Sequence, residues 1–355
     1  LVFTLTYSNH FHNPFHFDDS HAIENNLYIK DLSYFTQYFT DATTHSSLPT
    51  NQAYRPMLTT SFAIDYFLAG NELNPFYFHL STFIWVIIQG ILMYFFFLKV
   101  LNLTLKNDAN PFVSLFAVAW YLLHTANAET INYISARSDI LSTIGVVAGM
   151  VIYQYANGWR KHLSLIPMVA GILVKPTAVM FVALLFVYIL FFEERKSLFI
   201  NKRGTFQAWK NAFIKVIPAG IVCFSFFALT QFMKPETWVP GGHSPWDYLM
   251  TQPFVLLRYF WTFFIPVNLS ADTDWTLVTS ITDLRFIAGM VFLIAILIAG
   301  FQSSRKETLR PISFGILWFL ISLVPSSSII PLSEVTNDHR MYYPFVGFVL
   351  AVVWT

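Results

Sequence analysis

The chain has 355 residues, of which 55% are hydrophobic, 18% aromatic and only 12% charged, with a formal net charge of +1. Soluble proteins carry about 25% charged residues, so this composition excludes an ordinary soluble domain and predicts an integral membrane protein with several spans. The single cysteine, Cys223, excludes an internal disulfide bond and a cysteine-based metal site.

Long apolar runs recur along the chain, and several are shorter than the roughly 20 residues that a perpendicular span needs. The sequence therefore predicts an all-α fold: a single polytopic transmembrane helix bundle over residues 1–355, with a long first external loop, 10–75, that contains short helices. Residues 1–9 are predicted to be the end of a membrane span, and the last apolar run, 344–355, extends to the final residue. We expect the chain to be truncated at both ends. The runs lie at residues 1–9, 76–98, 111–124, 140–157, 163–174, 177–192, 212–231, 254–267, 286–301, 312–325 and 344–355.

Basic residues concentrate in alternate loops. These loops hold 13 of the 21 Lys and Arg residues but only four of the 20 Asp and Glu residues. Cytoplasmic loops of membrane proteins are enriched in Lys and Arg, so this set is predicted to be cytoplasmic and the acidic loops external. The predicted location is the bacterial inner membrane with a periplasmic site, or the endoplasmic reticulum membrane with a lumenal site.

This orientation makes residues 232–285 a second external region. The apolar run 254–267 inside it should then not cross the membrane, although it is rich in aromatic residues. It is short, with Arg258 near its start and Pro266 near its end, and an interfacial helix fits it better than a span. The alternative is that it crosses, which would reverse the side of every later loop.

Two adjacent carboxylates, Asp18 and Asp19, follow the first apolar segment. Charges at the edge of a membrane are costly to desolvate, so they need a partner or a function. The alternative is that the pair only caps the next helix, as Asp often does.

Other ionisable or polar groups recur in the external loops, as expected for a binding cavity on one side of the membrane. Structural alternatives apply to each: Arg137 and Asp139 could pair with each other, Lys175 could extend to the surface, and His339 could be an ordinary interfacial histidine. The candidate residues are Tyr54, Arg55, His124, Glu129, Arg137, Asp139, Lys175, His243, His339 and Arg340.

No metal site is predicted. Asp272 and Asp274 have a calcium-type spacing, but two ligands are too few and a turn explains them equally well. His124 and Glu129 lack the four-residue spacing that places two ligands on one helical face. No cofactor is expected, and the acidic pair leaves assistance by a divalent metal open.

This set of residues suits transfer of a sugar from a lipid phosphate to a hydroxyl. Asp18 or Asp19 would remove the hydroxyl proton. Cations would stabilise the leaving phosphate, and Arg55, Arg137, Lys175, His339 and Arg340 are the external candidates. Direct displacement would invert the anomeric centre.

Several stretches resemble, in the same order, the multi-span glycosyltransferases of the GT-C type. The sequence is most similar to the transmembrane and tetratricopeptide-repeat O-mannosyltransferases and their bacterial relatives. The stretches are Phe17-Asp18-Asp19, Tyr54-Arg55-Pro56-Met57, His79-Leu80, His124-Thr125 to Glu129, Arg137-Ser138-Asp139-Ile140-Leu141, Val255 to Tyr259, Pro266 to Asp272, and His339 to Pro344.

The resemblance implies transfer of a sugar, typically mannose, from a polyprenyl-phosphate donor to a hydroxyl on the outer face. Asp18 takes the position of the first acidic residue and is the predicted base, and Asp19 would orient the acceptor or share the role of base. The resemblance also implies helical repeats beyond residue 355. One departure is Pro176, which follows Lys175 where many members have Glu, and it leaves donor selectivity open.

Tyr54, His124, Glu129, Asp139 and His243 are the expected acceptor or sugar contacts. The predicted partners are the lipid-linked donor, a hydroxyl acceptor on protein, lipid or glycan, and membrane lipid, but no nucleic acid.

Three other functions remain as alternatives: a transporter or flippase for a lipid-linked sugar, a ligase that uses a lipid-diphosphate donor, and a scaffold without enzymatic activity. A flippase needs polar residues along a path to the cytoplasmic side. The runs 177–192 and 286–301 carry no charge, which argues against such a path.

Overall fold

The computed structural model describes residues 1–199, 203–238, 241–270, 273, 275–328 and 331–355. These residues form helices and connecting loops and contain no β-strand, which confirms the predicted all-α helix bundle. Each predicted apolar run after the first falls within or on a helix. These helices are α3 (Pro75–Thr104), α4 (Asn110–Leu123), α6 (Arg137–Tyr155), α7 (Leu165–Val174), α8 (Phe181–Tyr188), α9 (Arg203–Phe232), α10 (Pro245–Phe264), α11 (Leu284–Ser303), α12 (Arg310–Leu323) and α13 (Tyr342–Val353).

The remaining α-helices are short: α1 (Val2–Thr6), α2 (Pro56–Leu68) and α5 (Ala128–Asn132). Between α1 and α2 the chain forms only short helical segments of three to eight residues, because Asp and Pro residues repeatedly start a turn that is soon ended. Asp31 and Asp41, for example, accept hydrogen bonds from the amides of Ser33 and Thr43. The turns are Ser8–His12, Ser20–Glu24, Tyr28–Lys30, Leu32–Phe39, Ala42–His45 and Pro49–Asn51.

Five helical segments of the described chain are long and apolar enough to cross a membrane. The protein is therefore a multi-pass membrane protein. The segments are Pro75–Thr104, Ile134–Tyr155, Pro176–Glu193, Gly204–Phe232 and Leu284–Ser303.

Helix α10 is the element predicted to lie at the outer interface. It begins at Pro245 and ends at Phe264, earlier at both ends than the predicted run 254–267. Ser244 caps it by accepting a hydrogen bond from the amide of Asp247, and Pro245 occupies its first turn. Because its first half is polar, α10 is not among the five segments that are long and apolar enough to cross a membrane. That it lies along the interface stays a prediction.

The chain divides into two compact units. Unit 1 comprises Leu1–Leu92, Ala128–Val179 and Pro218–Val239, and unit 2 comprises Met93–Asn127, Met180–Ile217 and Pro240–Thr355. Helices α3 and α9 each contribute to both units.

Unit 1 is held together by the packing of α6 against α7, where glycines allow two backbones to approach closely. A Cβ atom on Gly145 would come within 2.7 Å of the carbonyl oxygen of Pro167 and 2.8 Å of the Cα of Gly171. Contact of small residues is a common means of helix association in membranes, where apolar burial provides little driving force. The close contact places the amino-terminal end of α6 and the carboxyl-terminal end of α7 next to each other.

In unit 2, glycines likewise allow α12 and α13 to pack closely. A Cβ atom on Gly315 would collide with the carbonyl oxygen of Gly347, and one on Gly347 would collide with the Trp318 side chain. Aromatic rings fill the space beside these helices, with Phe263 packed edge-on against Phe345 at a centroid distance of 5.1 Å. The result is a unit with an aromatic core.

Candidate functional site

The acidic pair lies at a strained turn of unit 1. Phe17 has a φ angle of +46°, in the left-handed region that residues with a side chain rarely adopt. The hydroxyl of Tyr133 accepts a hydrogen bond from the amide of Asp18 at 3.1 Å, and the same ring packs edge-on against Phe17. The turn points the two adjacent carboxylates into different environments: Asp19 is fully buried, whereas the side chain of Asp18 is 57% exposed.

Asp19 is held by three donors. Its carboxylate accepts hydrogen bonds from the amide of Ser135 at 2.8 Å, the hydroxyl of Ser135 at 2.6 Å and the amide of His16 at 3.0 Å. Burial raises the pKa of Asp19 above its ordinary value of 3.8, and these hydrogen bonds partly offset the increase. Asp19 therefore ties the turn to the segment before α6, which fixes the position of its neighbour.

Asp18 is the accessible carboxylate. His21 Nε2 lies 3.2 Å from Asp18 Oδ1, and the hydrogen bond from His21 lowers the pKa of the Asp18 carboxyl below 3.8. Asp18 is consequently ionised at neutral pH and open to a hydroxyl-bearing molecule. These are the properties that a general base requires.

Arg55 provides a positive charge to the same part of unit 1. Its half-buried guanidinium donates no hydrogen bond to any described residue, and it lies within electrostatic range of both Asp18 and Asp139. It is held at the start of α2, where its carbonyl oxygen accepts from the amides of Leu58 and Thr59. A half-buried guanidinium with free donors suits recognition of a phosphate.

Lys175 and Asp139 form an ion pair, with Lys175 Nζ 2.7 Å and 2.8 Å from the two carboxylate oxygens. The pair joins the start of α6 to the residue that ends α7, and both side chains are largely buried. Lys175 thus lies among protein groups instead of extending to the surface. The predicted contacts of Lys175 with the donor and of Asp139 with the sugar stay predictions.

Arg137 occupies a closed environment. Its guanidinium is fully buried, forms an ion pair with Asp65, and donates to the Thr82 hydroxyl at 2.9 Å and the Phe78 carbonyl at 2.6 Å. Because all three of its nitrogens donate to protein oxygens, this placement argues against the predicted phosphate contact. The expected alternative, an Arg137–Asp139 pair, is also not what the structure shows.

Two further candidates in unit 1 have mainly structural surroundings. Tyr54 is buried and its hydroxyl donates to the carbonyl of Phe39 at 2.9 Å. Glu129 lies half-buried in the first turn of α5. The role of each as an acceptor or sugar contact stays a prediction.

The remaining candidates belong to unit 2. Both ring nitrogens of His124 are used, since Nε2 donates to the carbonyl of Phe263 at 2.9 Å and Nδ1 accepts from the amide of Ala126 at 3.2 Å. His243 Nε2 lies 2.9 Å from the carbonyl of Ser333.

Arg340, also in unit 2, donates to the carbonyl of Glu334 at 2.9 Å and lies 3.3 Å from its carboxylate, while the neighbouring His339 is half-buried. Contact of Arg340 and His339 with a donor phosphate stays a prediction. Asp272 and Asp274 lie outside the described residues. Nowhere in the described ranges do three His, Cys, Asp or Glu side chains lie together as metal ligands.

Sequence reasoning assigned no role to four residues that build the unit 1 site: His21, Asp65, Tyr133 and Ser135. Only Asp65 carries a signal of its own, since it is an acidic residue within an apolar helix and so needs a buried partner. The other three are ordinary polar residues, and their roles depend on which segments of the chain they contact in the folded protein.

The chain is similar to curated protein O-mannosyl-transferases. Protein O-mannosyl-transferase TMTC3 of Homo sapiens is 23% identical over 391 aligned positions, which cover 99% of this chain and 41% of the relative. Protein O-mannosyl-transferase F38B6.6 of Caenorhabditis elegans is 23% identical, with 95% of this chain and 47% of the relative covered. Protein O-mannosyl-transferase TMTC1 of Mus musculus is 27% identical over 54% of this chain and 22% of the relative. These similarities confirm the resemblance inferred from the motifs.

The chain spans less than half the length of the curated relatives that it matches. No family model matches the sequence. No solved structure matches it either.

Proposed function

We propose that this chain forms the membrane domain of an inverting glycosyltransferase. It moves a sugar, mannose in the first instance, from a polyprenyl-phosphate donor to a hydroxyl group of a protein. The names of the relatives support mannose and a protein acceptor. The single observation that carries the mechanism is that an exposed, ionised Asp18 lies within electrostatic range of Arg55, whose guanidinium donates to no described residue.

In this mechanism the acceptor oxygen attacks the anomeric carbon of the sugar as the bond from that carbon to the phosphate oxygen breaks. The acceptor proton passes to the Asp18 carboxylate. The electron pair of the broken bond stays on the phosphate, whose growing negative charge Arg55 stabilises with its free donors. Because phosphate is a good leaving group, one base is sufficient and no general acid is needed.

Asp19 and Lys175 have supporting roles in this proposal. The three hydrogen bonds to Asp19 hold the backbone of Asp18 in place. Lys175, paired with Asp139, adds a positive charge to the same unit. Arg137 has no part in the proposed reaction, since each of its three side-chain nitrogens already donates within the protein.

The test is a transfer assay with purified full-length protein and a panel of labelled polyprenyl-phosphate sugars. We expect transfer of mannose, and Asp18→Asn should lower the rate by about 100-fold or more while the protein accumulates normally. Glu72→Gln is the matched control, because Glu72 is an exposed carboxylate of the same external region. Full activity of Asp18→Asn would exclude Asp18 as the base.

The proposed active site faces the non-cytoplasmic side, as the charge distribution of the loops predicts. The end of α11 should then face the cytoplasm. A Ser303→Cys variant should resist an impermeant thiol reagent added outside the cell, and rapid labelling would contradict the proposed orientation. The one native cysteine, Cys223, is buried and should not interfere.

A further inference from the structure

We propose that His21 is a positioning residue that holds the carboxylate of Asp18 through its Nε2–H group, and that Ser46 keeps this donor in place whether the imidazole is charged or neutral. The inference rests on the proposed function, in which Asp18 is the base. It adds a residue to which neither the motifs nor the relatives assign a role.

The imidazole of His21 is fixed at both nitrogens. Nε2 lies 3.2 Å from Asp18 Oδ1, and Nδ1 lies 2.9 Å from the hydroxyl of the buried Ser46. The amide nitrogen of Asn51 lies 2.9 Å from Nε2. When Nε2 carries a proton, the Asn51 amide turns so that its oxygen, instead of its nitrogen, faces the ring. The backbone is fixed as well, since the carbonyl of His21 accepts from the amide of Ser47 at 3.0 Å. The segment 46–51 thus holds the ring in one orientation.

The Ser46 hydroxyl can serve both protonation states of His21. When the ring is charged, Nδ1–H donates to Ser46 Oγ, and the hydroxyl proton goes to the carbonyl of Leu48, 3.1 Å away. When the ring is neutral, the hydroxyl turns and donates to Nδ1, so the ring proton stays on Nε2. In both states Nε2–H faces Asp18.

The charged and titratable groups around this pair are few. Arg55 and Tyr133 act on the charge of Asp18, and the buried His45 lies within electrostatic range of His21, Arg55 and Asp18. Burial keeps the pKa of His45 well below 6.5, so His45 is neutral at physiological pH. Burial also raises the pKa of Tyr133, which keeps its hydroxyl protonated.

The consequence for the reaction is geometric and electrostatic. A donor fixed on one carboxylate oxygen restricts rotation of Asp18, whose side chain is 57% exposed and otherwise contacts the Tyr133 hydroxyl. The hydrogen bond from His21 is also the largest cause of the lowered pKa of Asp18. Its removal should disorder the base and raise the pH at which Asp18 becomes ionised.

Two variants separate positioning from a general structural effect. His21→Gln places an amide nitrogen near the position of Nε2 and keeps a donor for Asp18. His21→Asn places its amide near Nδ1, which keeps the contact with Ser46 but removes the donor to Asp18. We expect His21→Asn to lower kcat by about 10- to 100-fold with little change in the KM of the donor. The acid limb of its pH profile should move to higher pH, and His21→Gln should recover most of the rate. Equal losses in the two variants, or a loss in KM alone, would overturn the proposal.

A second measurement does not require transfer activity. A carbodiimide modifies protonated carboxyl groups, and mass spectrometry of the full-length protein can follow modification of Asp18 as a function of pH. The midpoint should lie at higher pH in His21→Asn than in the unsubstituted protein or His21→Gln. If the midpoints coincide, His21 does not control Asp18 and the proposal is wrong. If the midpoint shifts but no sugar is transferred by the unsubstituted protein, the pairing of His21 with Asp18 stands and the glycosyltransferase proposal fails.

Discussion

Unit 1 contains two clusters that each combine an arginine with an aspartate. In the closed cluster, Arg137 pairs with Asp65 and is surrounded by further acceptors, and both side chains are buried. In the open cluster, Arg55 and Asp18 interact through space while the guanidinium of Arg55 donates to no described residue. The same two residue types thus occur once with every guanidinium nitrogen donating and once with none donating to a described residue.

The difference teaches how to separate structural from functional charges in a membrane protein. A buried arginine whose nitrogens all donate cannot bind a phosphate without breaking existing bonds, and removing its partner leaves an uncompensated charge. A half-buried arginine with free donors gains hydrogen bonds when a phosphate arrives. Arg137 therefore supports the fold, and Arg55 is available for a ligand.

The largest expected effect is on the closed cluster. Arg137→Met should leave Asp65 buried without its partner and cost about 3–5 kcal/mol, so the protein should fail to accumulate in the membrane. Arg55→Met is the matched control and should accumulate normally, because Arg55 has no such partner. Immunoblots of membrane fractions would measure both. Normal accumulation of Arg137→Met would show that the ion pair is dispensable.

The double variant Asp65→Leu/Arg137→Met sharpens this comparison. Replacing both charges with apolar side chains removes the uncompensated carboxylate, so accumulation should recover relative to Arg137→Met alone. If the double variant accumulated no more than Arg137→Met, the cluster would stabilise the protein through packing around the guanidinium and not through charge.

The next effect concerns catalysis by the open cluster. Arg55→Ala should lower the rate of transfer by about 100-fold, because the leaving phosphate loses its main cation. The rate of Arg55→Lys should lie between those of the unsubstituted protein and Arg55→Ala, since an ammonium supplies charge without the planar pair of donors. The rates would be measured on membranes containing equal amounts of each protein. Equal rates for all three proteins would remove Arg55 from the proposed mechanism.

A smaller effect concerns pH and the buried Asp19. Burial raises its pKa in the folded protein above the ordinary 3.8. A carboxyl with a raised pKa favours the folded state when protonated, so this contribution is present at low pH and is lost as the pH rises from 3.8 through the raised value. The melting temperature in detergent should decline by a few degrees across that window. Asp19→Asn, which does not titrate, should lack this component, and an identical decline in it would contradict the assignment.

The smallest effect is on the strained turn before the open cluster. Phe17→Gly should relieve the left-handed conformation at φ +46°, and its free energy of unfolding should be about 1 kcal/mol higher than that of Phe17→Ala. Phe17→Ala is the control, because alanine loses the ring but keeps the strain. Thermal unfolding of the two variants would compare them. A melting temperature no higher for the glycine variant than for the alanine variant would show that the turn is not strained.

Local features of the sequence were sufficient to predict the class of the protein and much of its layout. Composition and apolar runs predicted an all-α membrane bundle, because transfer of a segment into lipid depends on its own residues. The ordered motifs predicted the resemblance to O-mannosyltransferases. Asp18 and Arg55 stood out as charges of the first external loop, although the sequence did not show which of the external cations donate to other protein groups.

The sequence by itself determined that charges such as Asp18, Arg55 and Arg137 needed either a partner or a function near the membrane surface. Only the tertiary structure decided which partners they found. Arg137 meets Asp65 across 72 positions of sequence, and Asp19 meets Ser135 across 116. Such pairs depend on how helices and loops pack, and a single residue's chemistry is compatible with many of them. Spacing along the chain therefore could not distinguish Arg137, which stabilises the fold, from Arg55, which is available for a ligand.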